Sequence, residues 1–439
     1  MEFVSTRDPQ QRLGFSAALR QGLAPDGGLY VPTEWPKLAE LRVSAGLSLA
    51  ETAARVIAPF ARGDVLEADI PAITAEAFTF AAPLVAVGTS GRLSVLELIH
   101  GPTAAFKDFG ARFLAAVMTR LQCGATRPLK ILVATSGDTG GAVAAAFHRK
   151  SGIEVVVLFP KGLVSPTQQQ QLTCWGDNVQ SFAVCGTFDD CQRLVKEAFL
   201  DQALRARFDL TSANSINLGR LLPQMVYYVA SSLQVQAATG GGASYIIPSG
   251  NLGNATACVW AKRLGAPIDR IVLAHNANRT VPDYLADGVW RPRASVATLA
   301  SAMDVGNPSN LERLTALYPD AAQLGAALSA VSVSDAAISA RIKNDFEQYG
   351  TIWCPHTAVA AEAYAHLPDA LRSHGHWVLV GTAHAAKFPE TVQPLVSRKI
   401  AVPDNLARLF ERPTHYTELQ PTLQALRTAL DNPLVGGKS

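Results

Sequence analysis

The sequence predicts an α/β fold made of two parallel-sheet units behind a mostly helical N-terminal unit. Three observations predict it. From about residue 129 onward, β-branched apolar runs alternate with segments of helical period, which is the pattern of parallel strands joined by helical crossovers. The Gly240-Gly-Gly242 cluster interrupts that rhythm and marks the boundary between the two units. Residues 1–85 instead carry Ala- and Leu-rich helical segments broken by Gly and Pro. The division that follows is 1–85 helical, 86–240 first α/β unit, 241–400 second α/β unit and 401–439 a helical tail.

Taken in order, residues 22–32 form a turn cluster, Gly-Leu-Ala-Pro-Asp-Gly-Gly-Leu-Tyr-Val-Pro. Residues 109–121 form a helix with Phe113, Leu114, Val117, Met118 and Leu121 as its apolar stripe and Gly124 as its stop. Strand 129–134, helix 139–150 and strand 153–159 follow. Ser165-Pro166 opens another helix with an N-cap and a first-turn proline, and Thr187 with Asp190 opens the next. Residues 218–235 read as helix, 245–247 and 268–274 as strands, 334–349 as helix and 377–381 as strand. The stretch 282–318 is less regular, and no internal repeat is evident.

The composition of 439 residues, 48% apolar and 17% charged, allows a large core and argues against disorder. The net charge of +2, with no basic run or arginine-rich helix, gives nucleic-acid binding no support. No apolar run reaches the ~18 residues of a membrane span, and no secretory leader is visible, so a cytoplasmic protein is expected. Cysteines 123, 174, 185, 191, 258 and 354 contain no C-x-x-C pair and read as reduced core residues, neither a zinc site nor a disulfide framework.

The reactive centre predicted from residue chemistry is Lys107, in the stretch 97–112. Phe106 and Phe109 flank it, and such surroundings favour a neutral amine, the form that Schiff-base chemistry uses. Most lysines at the edge of an amphipathic helix are instead snorkelling side chains, so the stretch alone does not decide. Two glycine turns, 136–141 and 249–254, each follow a strand and open a helix, presenting free backbone N–H groups suited to an anion. Glycine also serves such turns for tightness alone, and neither turn is a dinucleotide fingerprint. Gly101 to Lys107 fails as a P-loop because Phe106 and Asp108 replace the second glycine and the hydroxyl. Gly437-Lys-Ser439 fails because Asn432 replaces the first glycine and no helix follows. His100, His356 and His384 show no metal-ligand spacing and receive no catalytic role.

The motifs H-G-P-T-A-A-F-K-D-F (100–109), T-S-G-D-T-G (135–140), N-S-I-N-L-G-R (214–220), P-S-G-N-L-G-N (248–254), M-D-V-G-N-P-S-N (303–310) and G-T-A-H-A-A-K-F-P (381–389) stand in one order with the 22–32 cluster. Together they resemble the pyridoxal-phosphate (PLP) enzymes of fold type II, and within them the threonine synthases. The resemblance implies that the two sheets enclose a PLP cleft. It implies Lys107 as the Schiff-base lysine, Gly250, Asn251, Leu252, Gly253 and Asn254 as the cofactor-phosphate cradle, and Thr382 as a hydroxyl for the pyridine nitrogen. The substrate implied is O-phosphohomoserine, with Thr135, Ser136, Thr139, Asn214 and Arg220 as candidates for its phosphate, although Arg220 read without the family is a solvated helix arginine. Asp138 stands where related enzymes often carry an asparagine that donates to the cofactor ring; an ionised Asp138 cannot donate.

The implied activity is conversion of O-phosphohomoserine and water to threonine and phosphate, by a monomer or homodimer without a metal. A threonine or serine dehydratase or a phospho-amino-acid lyase on the same fold is the alternative, and a non-catalytic binding protein the least favoured. A cleft between the two units is expected to close when the phosphates of cofactor and substrate are both held.

Overall fold

The computed structural model describes residues 1–431. The predicted absence of a P-loop at 437–439 lies outside the described residues. The chain begins with a small antiparallel sheet of order β2-β1-β3, made of β1 (Phe3–Ser5), β2 (Arg12–Leu13) and β3 (Tyr30–Pro32). Strands this short leave no alternation to read, so the expectation of a mostly helical unit misses this sheet, although the structure does hold the helices Phe15–Gln21, Leu49–Ile57 and Ile70–Ala77 there. Asp26 ties the 22–32 turn to β1, its carboxylate accepting from Ser5 Oγ and from Gly28 N at 2.8 Å.

The remaining strands are β4 (Leu84–Ala86), β5 (Leu93–Glu97), β6 (Leu129–Ala134), β7 (Ile153–Pro160), β8 (Val179–Val184), β9 (Asp209–Ser212), β10 (Ala243–Pro248), β11 (Ile268–His275), β12 (Ser329–Ser332), β13 (His376–Gly381) and β14 (Thr417–Leu419). They form a five-stranded sheet, β14-β8-β7-β6-β9, and a six-stranded sheet, β12-β11-β10-β13-β5-β4. All pairs are parallel except β4 with β5.

Two of the expected boundaries need correction. Residues 86–240 are not one sheet unit, because β4 and β5 pair into the six-stranded sheet, β5 lying parallel to β13 with Leu93 opposite Trp377. An apolar strand announces that it is buried, not which neighbour buries it. The 401–439 tail is not purely helical, since β14 extends the five-stranded sheet beside β8. Helix 218–235 is also divided, into Leu218–Leu221 and Gln224–Thr239, at Pro223, which lacks the N–H that would continue it. The second part ends on Gly240, whose φ of 76° is one that glycine takes without strain.

The crossing of β5 into the second sheet positions the site. The helix Lys107–Leu121 runs from the end of β5 in one sheet to β6 in the other, so its first residue lies at the seam. Phe113, Leu114, Val117 and Met118 are buried as the stripe predicts, and so are Ala111, Ala115 and Ala116, which makes this a central helix covered on several sides. Phe109 packs against Phe80, Tyr227 and Phe78 with ring centroids 4.5, 5.3 and 5.8 Å away. Cys174, Cys191, Cys258 and Cys354 are core residues, whereas Cys123 is exposed and Cys185 half-buried; all six are free. No helix among the described residues is long and apolar enough to cross a membrane.

Candidate active site

Lys107 is delivered to its helix by a strap, residues 98–106, that is stitched to the segment leaving β13. Leu98 N donates to Gly381 O at 3.0 Å, Phe106 N to Thr382 O at 2.9 Å and His384 N to Ala104 O at 3.0 Å. Asp108 closes the strap from inside, its carboxylate accepting from Thr103 N at 2.9 Å and Thr103 Oγ1 at 2.7 Å. Gly101 is required here, since a Cβ would stand 2.4 Å from Asp108 Oδ2.

The Lys107 ammonium lies 5.2 Å from the Phe106 ring centroid and 3.9 Å from Asp138 Oδ2, with its side chain 15% exposed. Burial pushes its pKa down, Asp138 opposes this, and Lys387 and Arg220 add to the lowering; the net direction is below an ordinary lysine. The amine is therefore more easily neutral than a surface lysine.

Asp138 is the first residue of the helix Asp138–Phe147. Thr135 Oγ1 shapes the turn before it, accepting from Gly137 N at 3.0 Å and Gly140 N at 2.9 Å. The carboxylate receives Lys387 Nζ at 2.9 Å and Gln168 Nε2 at 3.4 Å. Burial pushes the Asp138 pKa up, but the charges of Lys387 and Lys107 outweigh it and hold the group well below the usual carboxylate range.

The second turn opens the helix Gly253–Leu264 and includes Leu252 in the left-handed region at φ 61°. Gly250 lies against main chain, where a Cβ would be 2.8 Å from Met303 Cα. Asn251 donates to Ser215 Oγ at 2.6 Å and accepts from Ser309 N at 2.6 Å, while Asn310 Nδ2 donates to Asn251 O at 3.0 Å. Asn254 Oδ1 accepts from Tyr227 and Tyr228, and its Nδ2 is buried without a partner among the described residues. The segment that holds Asn251 through Ser215 also carries Arg220, whose Nη2 donates to Lys107 O at 3.4 Å. One short segment thus braces both the lysine and the glycine turn.

The chain matches three family models: threonine synthase N terminus over residues 2–78, pyridoxal-phosphate dependent enzyme over residues 83–383, and threonine synthase, C-terminal, over residues 357–430. It is 38% identical over 434 residues to the threonine synthase of Haemophilus influenzae, covering 98% of this chain and 99% of that one. The chain belongs to the threonine synthase family. Two solved structures agree. The threonine synthase of Escherichia coli superposes with a TM-score of 0.89 at 36% identity, covering 98% of this chain and 99% of that one. The PLP-bound threonine synthase of Brucella melitensis gives 0.89 at 35%, covering 98% of each.

The residues present fit the cofactor of such a synthase. Thr382 Oγ1 is buried with no partner among the described residues, as a hydroxyl reserved for a ring nitrogen would be. The Gly250–Asn254 turn offers helix-end N–H groups and the unpaired Asn254 amide, a donor set for a phosphate. Lys107 offers a buried amine of lowered pKa, as such a cofactor requires.

The predicted substrate residues separate into two groups. Thr135 is buried and its hydroxyl is used inside the turn, also donating to Gly137 O at 3.1 Å. Asn214 Nδ2 donates to Ala134 O at 2.9 Å and so closes the end of β6. Ser136 and Thr139 are half-buried, and their hydroxyls have no hydrogen bond among the described residues. Arg220 is not a solvated helix arginine: it is 3% exposed and donates to Ala213 O at 2.5 Å as well as to Lys107 O. Its helix is a single turn pressed onto the Lys107 helix, where Gly110 admits it. Burial lowers its pKa to about 10, and its Nε remains unpartnered among the described residues.

Of the histidines, His100 pairs with Glu97 at 2.8 Å, and His384 Nδ1 accepts from Ala386 N at 3.1 Å. His356 is buried, accepts from Ala302 N at 3.0 Å, and burial pushes its pKa down to about 4. A cavity of about 610 Å³ adjoins the strap, lined by Glu97, His100, His384 and Asp404 among others, and its carboxylates do not suit a phosphate. Sequence reading missed Lys387, Asp108, Gln168 and Arg313 as parts of this site. Arg313 is fully buried and donates to Tyr30 O, Ser215 O, Ile216 O and Asn310 Oδ1, joining the N-terminal unit to the cradle. Lys387 and Asp108 lie inside recognised motifs, so the signal was present without its meaning.

Proposed function

We propose that this chain converts O-phospho-L-homoserine and water to L-threonine and phosphate. The observation that carries this reading is the desolvated Lys107 amine at the seam of two sheets, beside Asp138 of the first glycine turn and braced by the 214–220 segment that also holds the second. When bound, pyridoxal phosphate supplies an electron sink for negative charge on the substrate carbons.

Lys107 acts as the proton carrier. Its lowered pKa leaves a neutral amine available to take the Cα proton and, once that proton has been released to solvent, one Cβ proton, and the strap keeps its main chain fixed meanwhile. Loss of the Cβ proton accompanies breakage of the Cγ–O bond, and phosphate departs with the bonding pair. A proton returned to Cγ makes the methyl group; water adds at Cβ as hydroxyl, its other proton going to the departed phosphate, and a proton returned to Cα completes threonine. The hydroxyls of Ser136 and Thr139 and the N–H groups of residues 136, 138 and 139 receive the substrate phosphate, and Arg220 braces that side of the site through the Ala213 and Lys107 carbonyls. Thr382 and the 250–254 turn hold the cofactor.

The working form inferred is a monomer or a homodimer. We place the reaction in the cytoplasm, a reading supported by six free cysteines. Purified protein given PLP should absorb in the visible and release phosphate from O-phosphohomoserine with threonine as co-product. A colourless, inactive preparation overturns the proposal, and 2-oxobutyrate in place of threonine moves it to the lyase alternative.

A further inference from the structure

A second lysine is buried at this site, and the chemistry above does not use it. Lys387 ends the short turn Ala385–Lys387 after β13, and its side chain is fully buried. Its Nζ donates to Thr103 O at 2.7 Å, on the strap before Lys107, and to Asp138 Oδ1 at 2.9 Å. The other oxygen, Asp138 Oδ2, faces Lys107 Nζ at 3.9 Å. One carboxylate is therefore divided between two lysines, one oxygen to each, with the shorter contact to Lys387.

The groups that act on Lys107 from the elements around it are Asp138, Lys387, Arg220 and His356. Asp108, on the helix of Lys107 itself, is occupied by Thr103. Asp138 is the negative charge nearest the Lys107 amine.

We propose that Lys387 is a positioning residue that clamps Asp138 by Oδ1, so that Lys107 faces a carboxylate already shared with a second ammonium. If Asp138 had Lys107 as its only counter-ion, it would hold that amine in its charged form and take away the base. With Lys387 in place, Asp138 orients the amine without retaining its proton. The clamp also accounts for an aspartate at position 138: a carboxylate there is matched by a buried cation across the seam, which an asparagine would leave unpaired. A purely mechanical role, bolting the strap to the Asp138–Phe147 helix, would affect stability but not the titration of Lys107.

The inference rests on Lys107 being the reactive amine, which Lys107→Ala tests separately through loss of turnover and colour. The clamp is tested on the full-length chain stripped of cofactor. Acetic anhydride transfers an acetyl group to a neutral amine with release of acetate, and mass spectrometry of the Lys107 peptide between pH 6.5 and 10.5 gives its labelling midpoint. Lys387→Met should raise that midpoint by about one pH unit, a roughly tenfold slower labelling at pH 8. Lys387→Arg should stay near wild type, and Asp138→Asn should lower the midpoint. If Lys387→Met does not fold, Lys387→Gln decides, since it keeps a donor for Thr103 O while removing the positive charge beside Asp138 and should raise the midpoint likewise. An unchanged midpoint in folded Lys387→Met or Lys387→Gln overturns the clamp, and so does an equal rise when Lys387→Met is added to Asp138→Asn, because Lys387 would then act on Lys107 without the carboxylate.

Discussion

Gly250→Ala tests the cofactor cradle with the smallest available change. The added Cβ would stand 2.8 Å from Met303 Cα and 3.3 Å from Met303 C and O, so it meets main chain and not a side chain that can swing away. That main chain is itself held. The next residue, Asp304, accepts from Thr298 N at 3.0 Å, Thr298 Oγ1 at 2.7 Å and Asn276 Nδ2 at 2.7 Å. With the 303–304 loop anchored, the 250–254 turn is the part that shifts, and overpacking of this kind costs about 1–3 kcal/mol. The fold keeps its two sheets, so most of that cost appears where the turn is needed: PLP binding weakens by about 10- to 100-fold, each tenfold corresponding to ~1.4 kcal/mol. Titration of the stripped chain with PLP, followed by visible absorbance, measures this, and urea unfolding of the same chain measures the part lost from stability. Wild-type affinity together with wild-type stability would show that residue 250 is not in contact with the 303–304 main chain.

Thr382→Val removes a buried hydroxyl without a partner, so unfolding of the stripped chain should be unchanged or improved by about 1 kcal/mol. Turnover should nevertheless fall, and equal turnover would remove Thr382 from the cofactor's surroundings. Arg220→Ala takes the donor from the Ala213 and Lys107 carbonyls and should cost roughly 2 kcal/mol in urea unfolding besides raising KM. A raised KM at unchanged stability would instead return Arg220 to a role on the substrate alone. His356 has a folded pKa of about 4, below its unfolded value, so the native state favours the neutral ring. Its stability contribution is complete above pH ~6.5 and declines as pH falls toward 4, by up to roughly 3 kcal/mol. His356→Gln should flatten the unfolding free energy over that window, and a profile as steep as wild type would point to other groups. Phe109→Ala, which opens a void among Phe78, Phe80 and Tyr227, should cost about 3–5 kcal/mol by thermal or urea unfolding. A loss under 1 kcal/mol would mean that the neighbouring rings collapse into the space.

The parts of the fold that could be read from the chain are those whose cause is local. Helix starts at Ser165 and Thr187 are visible because a capping side chain acts within three residues, and both cap as expected. The turn before Asp138 and the one at 250–254 are visible because a strand, a glycine and a helix follow in succession. Partner choice has no such local cause. β5 reads as a buried strand, but its place beside β13, across most of the chain, depends on where the strap can return, and β14 is too short to carry a pattern at all.

The same distinction explains why one lysine of the site was visible and the other was not. Lys107 stands out because Phe106 and Phe109 surround it in sequence, and desolvation follows from such neighbours. Lys387 has similar company in Ala385, Ala386 and Phe388, and it is the more deeply buried of the two. Apolar neighbours alone therefore announce burial and cannot assign function: the structure separates the two lysines by their contacts with Asp138, 2.9 Å from Lys387 and 3.9 Å from Lys107, and the proposed roles of reactive amine and clamp rest on that difference. That difference lies in one carboxylate from a third segment. It becomes readable only when β5 and β13 have paired and the seam has brought position 138 between the two lysines.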